Sequence, residues 1–139
     1  MERTKGQGPR EALQELHAAD HAMDYGQTED RIARFQSARE AVDQQLERVG
    51  PEEMHRHVRD IWPNAEKDEV AHNMERRFDY AAKVERARKM NGDELWQSVK
   101  GADLRIEGSV RERNAAIAVM AERAKQNEHS RDRGRGRGR

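Results

Sequence analysis

The sequence predicts an all-α protein, a small antiparallel bundle of three long and two or three short helices. Three observations predict it. Apolar residues recur every three or four positions over most of the chain, Gly and Pro fall between those stretches where helices end and begin, and only one short run alternates polar with apolar residues. Roughly 70% of the residues read as helix, against an ordinary ~30–35% in globular proteins.

Residues 1–8 hold two glycines and no large apolar side chain after Met1, and read as a disordered lead-in. Pro9 opens the first helix, because its missing N–H would be unpaired there in any case, and Glu11 suits the positive end of the dipole. Its apolar face is Ala12, Leu13, Leu16, Ala19 and Met23, with His17 and His21 turned away, and Tyr25-Gly26 closes it. Thr28 caps a helix over 28–49, the clearest in the chain, in which Ile32, Phe35, Ala38, Val42, Leu46 and Val49 share a face. Gly50 stops it. Pro51 starts a short helix over 51–62 with Met54, Val58, Ile61 and Trp62 apolar, and Pro63 ends that one.

Asn64 reads as the cap of a long helix over 64–90, with Val70, Met74, Phe78, Ala81 and Val84 along one stripe, acidic residues at its start and Arg86, Arg88 and Lys89 at its end. After Asn91-Gly92, Asp93 caps a segment over 93–100 holding Leu95, Trp96 and Val99, closed by Gly101. The alternating run Asp103 to Gly108 has no partner strand, so it reads as an extended connector and an apolar clip over the bundle. Ser109-x-x-Glu112 forms a capping box for a last helix over 109–126, with Val110, Ile117, Ala121 and Ala124 on its face. Trp62 and Trp96 are expected as core plugs.

Composition allows one small domain, assigned to 9–126. Of 139 residues 39% are charged and 34% hydrophobic, and 18 of the latter are alanine, so stability rests on few large side chains. No stretch reaches the roughly 18 apolar residues of a membrane span. The start is polar without a signal-peptide core, so a cytoplasmic location is expected. With no cysteine, disulfides and thiolate chemistry are excluded.

The 27 basic and 27 acidic residues balance only in sum. Ser130 to Arg139 hold five arginines (Arg131, Arg133, Arg135, Arg137, Arg139) and one aspartate, a formal +4 that leaves −4 on the rest of the chain. Interleaved glycine and like-charge repulsion make 127–139 read as a flexible cationic tail. Guanidinium groups bind phosphate bidentately and stack on bases, so these five arginines are the candidate contacts for nucleic acid or an acidic partner.

Other constellations point elsewhere. Glu52-x-x-His55 and Glu69-x-x-His72 match the i, i+3 spacing of di-iron bundles, but Glu69 and His72 lie about 130–170° from the centre of their helix's apolar stripe, whereas such ligands project into the core. His17 and His21, beside Asp20 and Asp24, read as a solvated face, and His55 and His57 lie near Trp62 without further pattern. Phe35, Phe78, Trp62 and Trp96 sit on apolar stripes and read as core in preference to a base-stacking platform. No phosphate loop or nucleophile motif has its structural context, so no enzyme, cofactor or metal is expected.

The run Ala121-Glu122-Arg123-Ala124-Lys125-Gln126 leading into Ser130-Arg131-Asp132-Arg133-Gly134-Arg135 resembles the endings of conjugative relaxases, a likeness over about the last 20 residues. Those proteins nick DNA with an N-terminal domain and often finish in Glu/Arg/Ala-rich helices and a basic tail. The resemblance implies a recruitment or translocation signal for a type IV secretion machine, with a secretion coupling protein as partner. The chain has neither the relaxase His triad nor its catalytic Tyr motif, and only the tail arginines carry over. The expected function is a non-catalytic helical interaction domain of a conjugation protein. The alternatives are a nucleic-acid-binding accessory protein acting through its tail and a small mobile-element inhibitor using its acidic body.

Overall fold

The structure is a computed structural model that describes the backbone of residues 8–137 and the side chains of residues 8–129. The all-α fold is present: six α-helices and two short 3-10 turns, with no strand among the described residues. They are α1 (Pro9–Ala22), α2 (Glu29–Val49), α3 (Pro51–Ile61), α4 (Glu69–Arg88), α5 (Gly92–Lys100) and α6 (Glu107–Arg137), with turns at Met23–Tyr25 and Ala65–Lys67. The chain forms two compact units, one up to Asp79 and one from Tyr80 onward, the boundary falling within α4.

In the first unit Ala12, Leu13, Leu16 and Ala19 of α1, Ala38 and Val42 of α2, Met54 and Val58 of α3, and Met74 and Phe78 of α4 form one buried cluster. Thr28 caps as read, its Oγ1 accepting from Arg31 N at 3.2 Å, and Glu11, read only for its charge, also accepts from Gly8 N at 3.2 Å. Gly8, placed in the lead-in by sequence, is thus the cap of α1, and the remainder of the lead-in lies outside the described residues. Gly50, at φ 89° and ψ 160°, breaks the chain between α2 and α3 in a conformation that essentially only glycine adopts.

The start of α4 corrects the sequence reading. Asn64 does not cap it; a 3-10 turn intervenes, and Asp68 Oδ1 accepts from Ala71 N at 3.1 Å, so the helix begins at Glu69. A carboxylate with this local reach competes well for a helix start and displaces a candidate four residues earlier.

In the second unit Ala87, Leu95, Ala116 and Val119 form the buried cluster, with Val84, Met90, Val99 and Met120 against it. Asn91, not Asp93, caps α5, in a reciprocal box in which Glu94 N donates to Asn91 Oδ1 at 2.9 Å and Asn91 N to Glu94 Oε1 at 3.0 Å. The last carbonyls of the preceding helical segment are met from α6, where Arg123 Nη2 donates to Met90 O at 2.7 Å and Arg88 O at 3.1 Å.

Further expectations fail here. Trp96 is 51% exposed with Lys100 Nζ over its ring, so it plugs nothing. Leu104 and Ile106 are also exposed, so the 103–108 run is a turn facing water that leads into α6 and not an apolar clip. Ser109 does not cap α6: its Oγ accepts from Asp103 N at 2.8 Å, and the helix starts two residues earlier, at Glu107. The apolar face of α6 is likewise misassigned, because the residues packed in the cluster are Ala116 and Val119, with Met120 against it, while Ile117, Ala121 and Ala124 are exposed. The helical backbone of α6 continues beyond Gln126 to Arg137.

Candidate functional site

The first unit holds an open groove of about 380 Å³ lined by Leu16 and Asp20 of α1, Phe35 and Arg39 of α2, and Val70, Asn73, Met74 and Arg77 of α4. The helical period builds it: α1 and α2 each place an apolar residue and, four positions later, a charged one on the same face, while α4 adds an apolar row, Val70 and Met74, beside a polar row, Asn73 and Arg77. The result is an apolar floor with a charged rim.

Electrostatics differ around that rim. Arg77 pairs with Asp43 and lies over the Phe78 ring, 5.4 Å from its centroid. Arg39 lies 5.8 Å over the Phe35 ring and has no carboxylate within ion-pair distance among the described residues. Burial pushes the Asp20 carboxyl above its ordinary range, and Asp24, Glu69 and Asp68 push the same way against the opposing effect of His17. The groove therefore offers one unpaired guanidinium over an aromatic face. That combination accepts an apolar side chain flanked by an anion.

His17 does not point away as expected. Its Nε2 lies 2.8 Å from Asp68 Oδ2, and its ring stacks on Trp62 at 4.9 Å between centroids and 27° between planes. A His–Asp pair can orient a general base, but the second Asp68 oxygen is already holding the start of α4, so the pair acts as a tie between α1 and that helix. The His17 hydrogen bond first, and then the Ala71 N–H, hold the Asp68 carboxyl below the ordinary aspartate range. A group lowered in the folded state contributes stability above its unfolded value, near pH ~4, and loses it as pH falls through the lowered value. The acid limb of unfolding, followed by circular dichroism, is expected to flatten in Asp68→Asn, which keeps a capping oxygen but not the charge. An unchanged limb would refute the link.

The two Glu-x-x-His motifs come together differently from their sequence reading. His55 Nε2 lies 3.4 Å from Glu75 Oε1 and His72 Nδ1 lies 3.8 Å from Glu75 Oε2, while Glu52 and Glu69 are exposed. Glu75 was not a candidate, since nothing in its spacing sets it apart. His21 sits on Asp24 and the edge of Tyr25, separate from His17. Among the described residues no group of three or more His, Asp or Glu could hold a metal ion.

Of the aromatic candidates, Phe78 is core, Phe35 floors the groove, Trp62 is half-buried on His17, and Trp96 faces water. The side chains of Arg131, Arg133, Arg135, Arg137 and Arg139 lie outside the described residues. Sequence reasoning missed the groove because its floor is assembled from three helices, and only the recurring pairing of an apolar residue with a charge four positions on could have flagged it. No described helix is long and apolar enough to cross a membrane. Compared with known protein families, curated proteins and solved structures, the chain matches none.

Proposed function

We propose that the chain is a non-catalytic helical docking domain in which an apolar side chain of a partner seats in the first unit's groove and a partner carboxylate meets Arg39. The observation that carries this is that groove, an apolar floor from three helices under an arginine with no carboxylate of its own among the described residues. On the resemblance of its C-terminal end, the partner is the coupling protein of a type IV secretion machine. The chain then serves as a recruitment region of a conjugation protein, and the arginine end adds electrostatic capture.

Titrating the chain against the cytosolic part of a coupling protein tests both levels. Saturable binding is expected, weakened about tenfold or more by Asn73→Trp, which fills the groove, and made less salt-sensitive by Arg39→Glu. No binding to any coupling protein removes the secretion reading, and equal binding by the groove variants removes the groove.

Five arginines spaced by glycine favour a second reading, nucleic-acid binding through the tail. If all five neutralise phosphates, affinity for single strands falls with salt at a log–log slope approaching about −3.5. Deleting residues 130–139 is then expected to abolish binding to single-stranded DNA and RNA. Undiminished affinity of the truncated chain would end this reading.

A further inference from the structure

We propose that the groove of the first unit has a negative and a positive end and takes an amphipathic helix carrying a basic and an acidic residue about two turns apart, one on either side of its apolar anchor. The inference rests on the docking reading above and adds the partner's basic residue, which Arg39 does not select.

The direction of the helices sets the two ends. Arg34 donates to Glu15 at 2.8 and 2.9 Å, tying α2 to α1, and the turn at Met23–Tyr25 brings the chain back, so the two helices run antiparallel with Leu16 and Phe35 near one level. Asp20 and Arg39 each stand four residues further on, along helices of opposite direction. At 1.5 Å per residue they lie about 12 Å apart along the groove, with the apolar floor between them. Helix α4 agrees with this. Asp68, at its start, bonds His17 toward the Asp20 end, and Arg77 pairs with Asp43 of α2 toward the Arg39 end.

Charge divides between the ends. Asp20 is half-buried, and its carboxylate has no cation within ion-pair distance among the described residues. The charges that act on it are those of Asp24, Glu69, His17 and Asp68, three acids and one imidazole that already bonds Asp68. His21 sits on Asp24, and Arg31, on the facing turn of α2, donates to the carbonyls of Tyr25 and Gly26. At the other end Arg77 and Asp43 balance each other, and Arg39 keeps its positive charge. A half-buried carboxylate pressed by acidic neighbours and met by no cation suits a partner's cation, as Arg39 suits a partner's anion.

The walls decide the form of the occupant. Three helices line the groove with their backbone groups bonded internally, so an extended peptide finds no edge to pair with. A helix arrives with its own backbone bonds complete. Basic and acidic residues about seven or eight positions apart share one helix face and reach both ends together.

Four helix-stapled peptides provide the test, alike except at those two positions, which hold Lys and Glu, Glu and Glu, Lys and Lys, or Gln and Gln. Titrated against the full chain by fluorescence anisotropy, the Lys/Glu peptide is expected to bind about tenfold or more tighter than either like-charged peptide, with Gln/Gln between and all differences shrinking with salt. Arg39→Glu is expected to move the preference to Lys/Lys, and Asp20→Lys to Glu/Glu. Asp20→Asn, which keeps the shape of the side chain, is expected to narrow the gap between Lys/Glu and Glu/Glu. Asn73→Trp separates this inference from the docking reading. If it abolishes binding of every peptide but Lys/Glu holds no advantage in the parent, the groove docks partners and the charge assignment is overturned. If no peptide binds, or all bind Asn73→Trp as they bind the parent, both fall. A concentration-dependent dimer in sedimentation that Asn73→Trp abolishes gives the groove to a second copy and overturns the proposal as well.

Discussion

Phe78→Ala is expected to lower the unfolding free energy by about 3–5 kcal/mol, the largest effect of any single truncation in this chain. Phe78 has no exposed surface, and it joins the cluster that includes Leu13, Leu16, Val42, Met54, Val58 and Met74. Removing the ring deletes its burial and leaves a hole that helices carrying so many alanines have few long side chains to fill. Domains have only about 5–15 kcal/mol to lose, and this one has few large apolar residues among 139. Urea unfolding followed by circular dichroism checks it, with Trp96→Ala as the control. An exposed tryptophan with a lysine over its ring should cost about 0.5 kcal/mol or less. If Phe78→Ala costs no more than the control, the core of the first unit is elsewhere.

Gly50→Ala is expected to cost about 1–3 kcal/mol, and for a different reason. A Cβ built on Gly50 meets nothing within 4 Å, so no clash contributes. The whole penalty comes from φ 89° with ψ 160°, a backbone state that an L side chain opposes. Two companions separate backbone from space. D-alanine at the same position, introduced by chemical ligation, should restore most of the loss. Gly108→Ala, within α6 and also facing open space, should stabilise by about 0.5–1 kcal/mol. Equal stability of Gly50→Ala and the parent would show that the α2–α3 connection tolerates another turn.

How far these features were legible in the sequence depends on how many elements each one needs. Helix α2 was readable because Thr28, the spacing of Ile32 through Val49, and Gly50 all lie within one segment and agree. The start of α4 was not, because Asn64 and Asp68 are both good caps, and the choice fell to the one whose carboxylate also bonds His17. The face of α6 was misread because alanine is ambivalent. Ile117 drew the assignment to its own side, yet α6 enters the core of the second unit through Ala116 and Val119, packed with Leu95. His17 and the groove floor needed knowledge of which helices lie side by side, information that periodicity within one helix does not hold.

The guanidinium of Arg123 finishes a helix end that the local sequence leaves open, since the carbonyls of Arg88 and Met90 find their donor more than thirty residues downstream. That turn therefore gains these two hydrogen bonds only once α6 has been synthesised and folded back. A protease nick in the 101–106 loop would uncouple the two, and amide exchange around Met90 would register the break before any helix content was lost.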